Sequence, residues 1–131
     1  MKDQKTLLKV ENALDLTTLS GAGSTVGEII DRDGFEAVTF INRVDGHSAG
    51  AVTPLIEDGD DSALADASAV ADAFLIGTEA EASLSADGVK TIGYVGQKKY
   101  VRMTLVAVGT SVDAKVSGLA IKGEPHFAPV A

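Results

Sequence analysis

The side chains able to carry chemistry are few. His47 follows the turn pair Asp45-Gly46, and His126 stands in a tail with two prolines. A catalytic triad needs a nucleophile, a base and an orienting group brought together. Neither histidine has such company nearby, and no Gly-x-Ser-x-Gly elbow is present. Both read as surface residues, and we expect no enzyme activity and no cofactor. The acidic cluster Glu57, Asp58, Asp60 and Asp61 would suit calcium, which takes about six to eight oxygens. An EF-hand loop alternates its acids before the glycine, but Gly59 falls between Asp58 and Asp60. Asp31-Arg32-Asp33-Gly34 lacks a third acid. We expect solvated acidic loops and no metal site. In Gly21-Ala22-Gly23-Ser24-Thr25-Val26-Gly27 the third glycine comes one residue late for a dinucleotide fingerprint, and a P-loop lysine is missing.

The most distinctive run is Gly93-Tyr94-Val95-Gly96-Gln97-Lys98-Lys99-Tyr100-Val101-Arg102. It reads as a tight hairpin: Gly93 and Gly96 permit the turn, and Tyr94 and Tyr100 flank it. Lys98, Lys99 and Arg102 project at or near its tip. Such lysines guard an edge strand against aggregation, or they form a basic contact surface for an acidic partner. The charge is uneven in the same sense. Residues 1–88 hold 5 basic and 17 acidic side chains, a net of −12, and residues 89–131 hold 6 and 2, a net of +4. This is a solvated acidic surface, or a two-signed molecule that docks in one orientation. The total of −8 argues against general nucleic-acid affinity.

Strands must position these groups. Phe35–Val44 alternates strictly and reads as a strand closed by Asp45-Gly46, with Ala51–Glu57 returning beside it. Pro54 donates no hydrogen bond, so the return strand lies at an edge or is bulged. Thr6–Leu19 reads as extended, and the alanine-rich Ala63–Phe74 as a short helix or turn, capped by Asp61 or Ser62, or else as an irregular loop that reaches the strand-like Phe74-Leu75-Ile76. Glu81–Ser85, Val89–Val95, Tyr100–Val108 and Asp113–Lys122 read as further strands, with Gly109-Thr110-Ser111 as a turn. We expect one core to draw on Phe40, Ile92, Val101, Met103, Leu105 and Leu119.

Strands spaced roughly every 8–14 residues with glycine turns indicate an all-β antiparallel sandwich, jelly-roll-like, of about seven to nine strands with at most one short helix. At 131 residues this is one domain, with an extended segment over about 1–20 and an irregular tail over about 123–131. Glycine is frequent at 14 residues and tryptophan absent, which suits many turns better than a helical bundle. The absence of cysteine excludes disulfides and thiolate sites. The polar start, Met1-Lys2-Asp3-Gln4-Lys5, leads us to expect no signal peptide, and no apolar stretch is long enough to span a membrane. We expect a protein made in the cytoplasm that stays soluble.

The string GYVGQKKYVRMTLVAVGT, followed by a last strand and His126-Phe127-Ala128-Pro129, resembles a family of small structural proteins of tailed bacteriophages. Upstream, Phe40-Ile41-Asn42-Arg43-Val44, the stretch from Thr53 to Asp61 and the stretch from Ala71 to Gly77 agree in outline. The likeness covers roughly residues 35–130, and Gly59 stands where the family has a small polar residue. It implies a virion component, a capsid decoration or cement protein that binds the major capsid protein of the same phage. It also implies self-association as a homotrimer, since such proteins often sit where three capsid subunits meet. A neck or tail component and a carbohydrate-binding module are the competing readings, the latter without tryptophan for a platform. A small hydrolase is a third, with no motif behind it. For the contact face the sequence nominates Lys98, Lys99 and Arg102, with Lys5 and Lys9 on a Lys2–Val10 arm.

The acid spacing generates a direct expectation. Calcium or a chelator leaves the melting temperature unchanged. A specific ligand at a hundredfold excess over its Kd would add about 2.7 kcal/mol, so a clear calcium-dependent rise in a thermal melt would contradict it.

Overall fold

The computed structural model describes residues 5–126. Seven strands form one antiparallel sheet: β1 (Lys9–Ser20), β2 (Gly23–Asp31), β3 (Phe35–Gly59), β4 (Ser68–Ala69), β5 (Leu75–Ile76), β6 (Gly88–Tyr94) and β7 (Tyr100–Pro125). The protein is all-β, as its alternation indicates. The strand connections differ from the expected ones. Ala51–Glu57 does not return along Phe35–Val44. It continues past Asp45-Gly46 as the second half of β3, and β7 likewise runs through Gly109-Thr110-Ser111. The two strands pair from Phe35↔Pro125 to Gly59↔Tyr100, with register shifts only around Asp45, Ala49 and Ala51.

The shared bend is made by two glycines. Gly50 has φ 78° and Gly109 φ 118°, values that favour glycine. A Cβ on Gly109 would come 3.3 Å from the Gly50 Cα, so the backbones touch where both strands fold over. β1 and β2 follow the same bend along the other side of β7, turning at Gly21-Ala22. One sheet is thereby doubled into two layers. The first holds β1, the end of β7, the start of β3, β6 and β5. The second holds β2, the start of β7, the end of β3 and β4.

The core lies between the layers. Phe40, Ile92, Val101, Met103 and Leu105 are buried in it as expected. Leu119 is not: it is 43% exposed on the outer face, and Val116, Gly118, Ala120 and Lys122 point inward. The reason is steric. A Cβ on Gly118 would lie 2.5 Å from the Met103 Cε of the opposite layer. Small inward residues on β7 make room for that methionine, and the larger ones are left outside. Lys122 ends this inward row at the mouth of the sandwich, away from the bend. Its ammonium donates to Glu11 Oε1 and the Asp31 carbonyl, both at 3.1 Å, and lies 4.9 Å from the Phe35 ring centre.

Pro54 sits on an edge, as its missing donor requires. Val52 N–H, two residues before it, donates to Leu84 O, and Ile56 N–H, two residues after it, to the Glu79 carboxylate. The alanine-rich stretch is not a helix. Its only helical turn is a 3₁₀ turn at Asp72–Phe74. Asp61 Oδ2 accepts from the amides of Ala63 and Ala65, and Asp66 accepts from those of Asp60 and Asp61, so side chains compete for the backbone. The buried apolar positions, Leu64, Val70 and Leu75, also lack helical spacing. Glu81–Ser85 is a turn with one bridge, Leu84↔Val52, rather than a strand. Thr78 and Glu81 exchange side-chain-to-backbone hydrogen bonds there, as a Thr-x-x-Glu box does.

The inward face of β7 is open to test. Gly118→Val should cost about 1–3 kcal/mol by overpacking, while the adjacent Leu119→Ser should change stability by less than about 0.5 kcal/mol. Urea unfolding of both variants measures this. The reverse order would mean that β7 presents its other face to the core.

Candidate functional site

The distinctive run from Gly93 to Arg102 is not a hairpin. β6 pairs with the first half of β3, whereas β7 begins in the other layer, so residues 95–99 cross the mouth. Tyr94 anchors the crossing. It is fully buried, its hydroxyl donates to Asp58 Oδ2 at 2.6 Å, and it accepts from the Lys98 amide at 3.2 Å. Burial, reinforced by the Asp58 carboxylate, pushes its pKa well above the ordinary phenol value. Gly96 packs on this ring, and a Cβ there would lie 2.4 Å from the phenol oxygen.

The acidic loop that suggested calcium lies against this crossing. Lys98 Nζ pairs with Asp60 at 2.9 Å, and that contact raises the lysine's pKa. Arg102 pairs with Glu57 at 3.3 Å with both side chains largely buried, and Thr104 donates to the same oxygen. Asp66 is held below the usual carboxylate range by the amides of Asp60, then of Asp61. No group of three or more potential metal ligands occurs among the described residues.

The nominated cations therefore differ. Arg102 is an internal pair, so reversing its charge would disturb the fold as well as any contact. Lys98 is half spent on Asp60. Lys99 is exposed beside Tyr100, 5.2 Å from its ring centre, and that residue raises its pKa. Lys5 is exposed in a turn. Lys9 and Val10, assigned to an arm by the sequence reading, open β1 and pair with Lys122 and Ile121. Lys122 reaches the Asp31 carbonyl, and Asp31 pairs with Tyr100, so Lys9, Lys98 and Lys99 share the mouth end. Residues 1–4 of that arm and 127–131 of the tail lie outside the described residues. A cleft of about 200 Å³ opens at the same end, lined in part by Arg32, Glu36, Asp60, Gln97, Lys99 and His126. His126 and Glu36 contact each other across it. One of its cations is already engaged: Arg32 donates to the Lys98 and Phe35 carbonyls.

The sequence reading missed a second surface. On the outer face of the first layer, Val10, Leu16, Ile41, Val89, Leu119 and Ile121 lie on neighbouring strands, and four of them are strongly exposed. The signal was present in β7, whose Leu119 and Ile121 alternate with a row of smaller residues and a lysine.

No protein-family model matches the chain, and no curated protein does. Among solved structures it is similar to a protein of Bacillus endospore appendages, described as a novel family of disulfide-linked pili. That match has 11% identity over 94% of this chain and 92% of the other, with a TM-score of 0.46. It is similar to the SPBc2 prophage-derived protein YomS, with 13% identity over 87% and 92% and a TM-score of 0.47. It is also similar to the low-affinity xylan-binding module CBM86 from Roseburia intestinalis, with 17% identity over 91% and 96% and a TM-score of 0.37. At these values the likenesses assign no function.

Tyr94 gives a prediction with a pH sign. Tyr94→Phe removes both hydroxyl contacts and should cost about 1–3 kcal/mol at neutral pH. The raised pKa stabilises the parent fully below the unfolded phenol value of about 10, and that stabilisation is lost as pH rises above it. The gap between parent and variant should therefore narrow above pH ~10 in urea unfolding. A gap that stays constant would contradict this reading of Tyr94.

Proposed function

We propose that the chain is a structural protein of a tailed-phage virion, a capsid decoration protein that seats on the outer face of the shell as a homotrimer and stabilises it. One observation carries the reading. Two of the separated stretches that carry the resemblance, residues 53–61 and 93–110, meet in space through Tyr94–Asp58, Lys98–Asp60 and Arg102–Glu57. The resemblance thus follows a structural unit rather than scattered matches. The rest of the molecule is consistent with a building part. Its internal charges are paired among themselves, and its described depressions are shallow. A protein that coats a shell needs a rigid body and adhesive faces, and many weak copies add up by avidity.

The mouth end, with Lys9, Lys98 and Lys99, together with Lys5 four residues before Lys9, is the proposed attachment face for an acidic region of the major capsid protein. Exposed pairs contribute only about 0–1 kcal/mol each, so single changes should do little. Changing all four to Glu, with Arg102 retained, should weaken co-sedimentation with undecorated shells, most clearly at low salt. Parent-like binding by this variant would remove the attachment face. A parent that ignores shells but binds purified tails or xylan would remove the decoration reading itself.

A further inference from the structure

We infer that in free solution the apolar outer face of the first layer is covered by a second copy of this chain, packed face to face about a twofold axis. This stands apart from the attachment at the mouth and from the trimer proposed for the assembled shell. The face is built by four strands: β7, β3 and β6 pair there in continuous register, and β1 pairs with β7 but is bulged between Asn12 and Thr17, where Leu16 stands. Its rows place Val10 beside Ile121, Leu119 beside Ile41, and Arg43 beside Val89. Leu16 is 73% exposed, Val89 56% and Leu119 43%, although β7 turns smaller side chains and a lysine inward. A strand that keeps its larger apolar residues on the outside is patterned for cover on both faces.

Charge selects the occupant. Two adjoining depressions of about 370 and 410 Å³ cross this face and share Leu16, Arg43 and Ser117. The charged residues lining them are Asp15, Asp45, Arg43 and Lys115, two of each sign. The whole chain carries −8, so copies repel each other over most of their surface but not here. Arg43 lies 3.7 Å from Asp45 of its own chain with both side chains largely exposed, and a second copy carrying the same two-signed rim can exchange these partners. A strongly charged foreign partner gains nothing from so balanced a rim.

Area sets the strength. Four strands about 4.8 Å apart, over about nine residues rising about 3.4 Å each, span about 600 Å². Two copies then bury about 1,200 Å², at the lower limit of specific interfaces. The dimer is therefore weak and concentration-dependent. Growth beyond two by strand addition is hindered, because the long edge strands β1 and β2 both carry register shifts, between Asn12 and Thr17 and between Val26 and Ile29.

Sedimentation equilibrium over a wide concentration range tests this, with the full chain, with Leu16→Ser/Leu119→Lys, and with Arg43→Asp. The parent should pass from one to two chains as concentration rises. The double variant should stay monomeric with an unchanged melting temperature, and Arg43→Asp should weaken pairing at least tenfold. A parent that stays monomeric throughout overturns the inference. So does a double variant that still pairs, which would place the contact elsewhere, or a parent that associates in threes. A monomeric parent whose melting temperature falls with Leu119→Lys would mean that the chain's own terminal residues cover the face, and this too overturns it. None of these outcomes depends on capsid binding.

Discussion

β3 and β7, of 25 and 26 residues, lie antiparallel along almost their whole lengths, and neither can bend without the other. The hydrogen-bond ladder between them imposes the double layer. Once Gly50 and Gly109 meet back to back, the first half of each strand is laid over the second. Everything else attaches to this folded pair: β1 and β2 along the free side of β7, and β6, β5 and β4 along the free side of β3. The core is the space enclosed between the two halves, and its depth is set by how closely Met103 approaches Gly118.

Strand content was legible in the sequence because alternation is a local property. Phe35–Val44 and Tyr100–Val108 identify themselves from their own residues. Connection was not legible, because a glycine pair such as Asp45-Gly46 is equally at home in a hairpin and in a bend of a continuous strand. The ladder between β3 and β7, which decides between the two, links residues far apart in sequence. Which face of the last strand is inside was misjudged for a related reason. Leu119 is more apolar than Gly118, but Met103 from the opposite layer needs the space that glycine leaves. Of the cations nominated from the sequence, Lys5, Lys9 and Lys99 are exposed. The burial of Arg102 against Glu57 could not be read without knowing that residues 53–61 lie beside β7.

The uneven charge also takes on a different meaning in three dimensions. The acidic loop and the basic crossing are separated in sequence but adjacent at one end of the molecule, where they neutralise each other pair by pair. Three pairs between the two halves of the chain, Lys98–Asp60, Arg102–Glu57 and Lys122–Glu11, use three of the six basic side chains of residues 89–131. The rest of the surface keeps the net charge of −8, with the exposed lysines of the mouth and the balanced apolar face set within it.

The pairing of Lys9 with Lys122 and of Phe35 with Pro125 has a consequence for synthesis on the ribosome. β1 and β2 pair only with β7 and have no ladder until it has been translated, so the emerging chain must wait. At about 5–20 residues per second that delay is on the order of ten seconds. During it, long strands rich in valine and isoleucine stand open to neighbouring nascent chains on the same message. The −12 charge of residues 1–88 keeps those chains apart by mutual repulsion until the partner strand arrives. The acidic bias of the early sequence opposes such association throughout that interval.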